Sequence, residues 1–212
     1  MIFEPITIDS LDIQNRFVRS ATHEWLADED GRPTSRIGDM YEELAKNEVG
    51  LIITGYSYVN PRGRSSDNQQ GIYDDNFVEP YQDITSRVHK YKSKIIAQIV
   101  HGGRQAKPTT KYPIPIAPSA VTDTSSGITP MEMTEADILE TIEDFANAAR
   151  RAKEAGFDGV QLHCAHGFLL SNFISPYTNR RNDKWGGSVE KRTQIVVDII
   201  KQIRQMVGED FP

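Results

Sequence analysis

The sequence predicts a parallel α/β fold with the content of half a (β/α)8 barrel, and three observations carry that prediction. Short apolar runs alternate four times with segments of helical period. The runs are apolar nearly throughout, as parallel strands covered on both faces are. The G-x-G-x-x-G that marks an open doubly wound sheet, the structural alternative, is missing after the first run, where the chain reads SATHEWLADEDG. A full barrel takes about 250 residues. This chain has 212, and GEDFP stands where a fifth strand is expected to begin, so residues 1–212 are expected to be the N-terminal part of one barrel domain.

The elements follow in order. FEPITIDSLDIQNR alternates apolar and polar residues about Asp9-Ser10, which predicts a β-hairpin. The predicted strands are Phe17–Ala21, Leu51–Thr54, Ile95–Val100 and Gly159–Leu162. After the first, Ile37, Met40, Tyr41 and Leu44 share one helix face; after the second, Val78, Tyr81, Thr85 and Val88 do. The third helix gathers Ile138, Ile142, Phe145, Ala149 and Ala152, opened by a capping box of Thr134 with Asp137 and closed by Gly156. The fourth gathers Val196, Ile199, Ile200, Ile203 and Val207 and ends at Gly208. Between the third strand and its helix, Gly102 to Pro130 shows no period, and YPIPIAPSAV mixes apolar residues with stiffening prolines, which predicts an ordered cover rather than a solvated tether.

Composition narrows the function classes. A net charge of −6 without a basic run argues against nucleic acid as the main partner. No run approaches the roughly 20 apolar residues of a membrane span, and MIFEPITIDS lacks the basic and apolar regions of a signal peptide. A cytoplasmic location is the default expectation. The lone Cys164 excludes an internal disulfide and a multi-cysteine metal site.

Polar residues gather after the strands. His23, His101, His163 and His166 follow the predicted ends of three different strands, the rim that carries the active site in parallel α/β folds. His89 lies in a helix and reads as a surface residue. Gln98 interrupts an apolar strand, where its amide needs a partner; backbone or water would serve, and so would a ring with alternating N–H and C=O groups. A zinc hydrolase built on His163-x-x-His166 with His23 or His101 is an alternative, though the rim lacks the strand-end acids to complete it. A catalytically inactive half-barrel is another.

IQNRFVRSAT, VGLIITG, AQIVHGGRQA and, above all, EAGFDGVQLHCAHGFLLSNFISPYTNRRNDKWGGSVEKR resemble the Old Yellow Enzyme family of flavin oxidoreductases, in its NADH:flavin oxidoreductase and 2,4-dienoyl-CoA reductase branch. The resemblance covers the chain from about Ile2 to Pro212 and implies an FMN-binding TIM barrel, reduced by NADH or NADPH, acting on a small electrophilic substrate such as an α,β-unsaturated carbonyl. By the same resemblance His163 and His166 are the catalytic pair that polarises the substrate oxygen; Ser20, Ala21, Thr22, His23, Tyr56 and Gln98 bind the flavin; and Trp25 and Phe168 lie on the substrate side. No metal is implied. Two departures stand out. Phe168 takes the place of the family's proton-donating tyrosine, and the chain holds neither the fifth-strand arginine nor the phosphate loops of the later strands. Trp185, Gly186 and Gly187 are given a structural part only. Unpaired edges and an exposed apolar interior lead to the expectation of a homo-oligomer.

Overall fold

Alternating side chains and a tight turn at Asp9 (φ 53°) fold the start of the chain on itself. In the computed structural model, which describes residues 1–212, β1 (Ile6–Ile8) pairs antiparallel with β2 (Leu11–Ile13). Then follow β3 (Val18–Arg19), α1 (Ser35–Lys46), β4 (Leu51–Ile53), β5 (Ser57–Tyr58), α2 (Val78–Val88), β6 (Lys94–Val100), β7 (Ile116–Ala117), β8 (Met131–Glu132), α3 (Glu135–Glu154), β9 (Val160–Leu162), α4 (Leu169–Ile174) and α5 (Val189–Val207).

The four barrel positions are parallel and neighbour one another in chain order: β3 on β4, β4 and β5 on one edge of β6, and β9 on its other edge. The first strand is shorter than the predicted Phe17–Ala21, because the chain leaves the ladder after Arg19. The second continues beyond Thr54. Ile53 pairs with Ile96 and Ser57 with Ile99, so three residues, Thr54 to Tyr56, oppose two, Ala97 and Gln98. That is a β-bulge, which turns the strand just where it reaches the rim.

Period-two alternation divides the sheet. Ile52, Ile95, Ala97 and Ile99 face outward into the main core with Ile37 and Tyr41 of α1, Ile84 and Val88 of α2, and Phe145 of α3. Leu51 and Ile53 face inward, where Leu11 and Ile13 of the hairpin plug the lower end and Ile96 packs against them. One layer higher, the inward positions turn polar at Gln98, paired in register with Gln161. The apolar floor and polar ceiling place the site at the strands' C-terminal ends.

The helices seat as their faces require. Ala146, Ala148, Ala149 and Ala152 of α3 are fully buried, small enough for close packing against α5. The capping box of Thr134 and Asp137 forms, and left-handed Gly156 (φ 81°) and Gly208 (φ 88°) stop α3 and α5. The α5 face differs from expectation: Ile195, Ile199, Ile203 and Val207 are buried, whereas Ile200 is 46% exposed. A spacing of four keeps the buried set in line, and Ile200 falls one step off it. The long loop is not a solvated tether: Ile116 and Ala117 are buried, and β7 pairs with β8. Trp185 is buried, and Gly187 (φ 90°) makes the turn into the Ser188 cap of α5. No helix is long and apolar enough to cross a membrane.

Candidate active site

Strand parity decides which side chains meet. On β9 Gln161 faces the barrel interior, so two residues on, His163 does too; its N–H extends the ladder to the Ile99 carbonyl. His166 (φ 57°) and Gly167 (φ 74°) are both left-handed, and this double turn folds the His166 ring back onto His163. A left-handed non-glycine residue costs about 1 kcal/mol and marks a place where the surroundings hold it. Here the Gln105 amide donates to the His166 carbonyl at 2.9 Å.

Hydrogen bonding sets the tautomers. The Ala165 N–H donates to His163 Nδ1 at 3.3 Å, so the neutral ring carries its proton on Nε2. That Nε2–H lies 3.1 Å from His166 Nδ1 and donates to it, which leaves His166 with its own proton on Nε2. Burial, then the adjacent His166, pushes His163 below the ordinary histidine range, so His163 meets a ligand uncharged at pH 7. Only His166 keeps a donor free in this arrangement; His163 acts through it.

Opposite this relay, the Gln98 Nε2 donates to Gln161 Oε1 at 2.7 Å. The remaining oxygen of Gln98 and nitrogen of Gln161 make no hydrogen bond within the protein, and they present an acceptor beside a donor to a cavity of about 380 Å³. Ala21, His23, Tyr56 and Cys164 complete its walls with the histidine pair. Such a wall suits the edge of a planar heterocycle with alternating N–H and C=O groups, and Ala21 offers a wall without bulk.

His23 is held by Ser66 Oγ, 2.8 Å from its Nε2. Burial lowers its pKa although the charge of Glu24 works to raise it. Its ring lies tilted against Trp25 (4.2 Å) and Tyr56 (5.0 Å), and Tyr56 in turn packs tilted on Phe168 (5.5 Å) and edge-on to His163 (5.8 Å). Trp25 stands 63% exposed at the mouth, outside the cavity lining. Phe168 is buried behind the pair with Tyr58 and Val100 and does not line the cavity either. Of the Ser20–Thr22 segment only Ala21 lines it.

His101 does not join the cluster. It shares the parity of Ile95, Ala97 and Ile99, the helix-facing side, and lies flat against Gly63, its Nδ1 accepting from the Gly103 N–H at 3.0 Å. It lines a separate polar cavity of about 190 Å³ with Asn60, Arg62 and Asp144. No three His, Cys, Asp or Glu side chains converge as metal ligands, which leaves the zinc alternative without a ligand set. Sequence reasoning missed Gln161, Ser66, Arg19 and Glu24. Counting two residues back from His163 identifies Gln161; no local signal marks Ser66.

Comparison with known proteins adds the family. Residues 1–211 match the model of the NADH:flavin oxidoreductase / NADH oxidase family. The chain is 42% identical over 213 residues to the NADH oxidase of Thermoanaerobacter brockii, covering 100% of this chain and 33% of that protein. It is 41% identical over 207 residues to the NADPH dehydrogenase of Geobacillus sp., covering 97% and 60% respectively. The Old Yellow Enzyme from Pichia sp. superposes with a TM-score of 0.93 at 33% identity, over 99% of this chain and 57% of that one. Morphinone reductase does so with a TM-score of 0.90 at 27% identity, over 99% and 60%. The chain thus spans between a third and three fifths of the length of these relatives. The barrel expectation is met in part of its circumference, with four of its parallel positions present in order. A polar cavity at the ends of parallel barrel strands, and a family match along nearly its whole length, give one conclusion: the chain belongs to the NADH:flavin oxidoreductase / NADH oxidase family.

Proposed function

We propose that this chain is the N-terminal part of an FMN-binding barrel domain in an oxidoreductase that passes hydride from NADH or NADPH to an α,β-unsaturated carbonyl or similar small electrophile. One observation carries the reading: the His163–His166 relay opens on the same cavity as the free acceptor and donor of Gln98 and Gln161. Bound FMN supplies the two-electron carrier. Gln98 with Gln161 would hold the pyrimidine edge of the ring, and Ser20, Ala21, Thr22, His23 and Tyr56 would supply the rest of its binding wall.

The substrate oxygen accepts from His166 Nε2–H, with His163 supporting that donor from behind. Polarising this oxygen makes the β-carbon more electrophilic and stabilises the enolate charge that follows. An imidazole N–H can do this without carrying a full charge. Phe168 has no proton to give to the α-carbon. Tyr56 carries the one hydroxyl among the cavity-lining residues, and it delivers the proton to the α-carbon. Trp25 flanks the mouth on the substrate side.

The test uses the visible spectrum. The purified protein should carry flavin that bleaches under anaerobic NADH or NADPH, and a phenol should perturb its spectrum. His163→Ala/His166→Ala should keep the flavin, weaken the phenol, and slow reduction of an unsaturated ketone about 100-fold. Tyr56→Phe should slow that ketone step while the bleaching rate stays. Unchanged phenol affinity in the histidine variant would remove the pair from the mechanism, and absence of flavin would end the proposal.

A further inference from the structure

Between His23 and Trp25 the chain buries an acid. The Glu24 side chain is 2% exposed, and four donors meet its carboxylate. Arg19 Nη2 (2.8 Å), Tyr41 Oη (2.5 Å) and the Gly55 N–H (2.9 Å) donate to Oε1, and Gln70 Nε2 (3.0 Å) donates to Oε2. Arg19 also donates to the carbonyls of Ile53 (2.7 Å) and Thr22 (3.2 Å). The ion pair therefore lies against the backbone of Ser20–Thr22 and the bulge that carries Tyr56, directly behind the cavity wall. Gly55 is obligatory there, since a Cβ would fall on Glu24 Oε2.

We infer that Glu24 and Arg19 are a charge-balanced positioning pair behind the flavin site: each offsets the other's field at the cavity, so that the reduction potential of the flavin depends on the two charges staying in balance. The inference rests on the FMN reading above. A carboxylate with its lone pairs occupied is fixed in place and cannot reorient to follow a change of charge in front of it. Away from water, charges act over longer distances than they do at a surface. A buried ion pair is weak as a source of net stability, so its position against the site is the feature to explain. The field also reaches the cavity: the charge of Glu24 raises the His23 pKa against the burial that lowers it.

Redox-dye equilibration of the FMN-loaded protein tests this by sign. Glu24→Gln leaves Arg19 uncompensated, favours the anionic reduced flavin, and should move the potential positive. Arg19→Gln leaves Glu24 uncompensated and should move it negative. The double variant should return close to the parent. A clamp that only holds shape predicts no such opposition; shifts of one sign, no shift, or a displaced double variant would overturn the inference. A second reading needs no flavin. In an NMR titration, the His23 pKa should fall in Glu24→Gln and rise in Arg19→Gln, and an unmoved His23 in both would also overturn it. Should one single variant fail to fold, the other still carries its sign. If the parent protein lacked flavin, the proposed function would fall while the His23 titration still judged the pair.

Discussion

His101 shows what burial does to one imidazole. Burial, with the Arg62 cation adding to it, pushes its pKa down from 6.5 to about 3. Between those values the unfolded chain binds a proton that the folded one refuses. Its part in stability is therefore whole above pH 6.5 and is lost as pH falls toward 3. At pH 5 the loss is about 2 kcal/mol. Asp144, on the same cavity, works the other way: burial raises it to about 6, so the folded state binds the extra proton and stability falls as pH rises from 3.8 toward 6. A variant comparison separates the two. Urea unfolding at pH 7 and pH 5 should show the parent losing roughly 2 kcal/mol more than His101→Asn does; equal losses would show that His101 is not the group that titrates. The same residue shows what sequence leaves out. His101 and His163 both follow strands, but Gln98 and Gln161 fix the inward parity, which puts His163 inside and His101 on the helix side.

At the scale of elements, the signals that were legible are the ones carried by local chemistry. The α3 capping box forms because Thr134 Oγ1 accepts from the Asp137 N–H while Asp137 Oδ2 accepts from the Thr134 N–H. Thr134→Ala should lower stability by about 1 kcal/mol in thermal or urea unfolding, with the cavity untouched; no loss would mean that the helix start is held by packing alone. The bulge at Thr54–Tyr56 and the six-residue α4 were not legible. The bulge exists only relative to β6, against which one extra residue must be accommodated. Helix α4 is too short for a period. Tertiary partners set it: the Leu169 N–H donates to the His101 carbonyl, and Asn172 Oδ1 accepts from the Arg104 N–H.

At the scale of the molecule, β9 forms a ladder only with β6; on its other edge the Val160 N–H donates to the Pro212 carbonyl, and beside the rest of that edge runs an apolar groove of about 410 Å³ lined by Val160, Leu162, Val196, Ile200 and Phe211. A strand edge left largely without a partner strand and flanked by apolar side chains invites association. The 212-residue chain alone is expected to bind a hydrophobic dye and to self-associate in light scattering, and Ile200→Glu with Val196→Glu should reduce both. A monomer without dye binding would count against a self-associating edge.

Periodicity, capping residues and glycines determined the order of strands and helices, because each reports a local preference that survives whatever surrounds it. The motif after β9 determined the family. Tertiary structure alone decided that Gln161 joins Gln98, that His101 leaves the cluster, and that Glu24 and Arg19 lie charge to charge behind the cavity. These are facts of register and direction between segments far apart in the chain, and no single segment contains the information that fixes them.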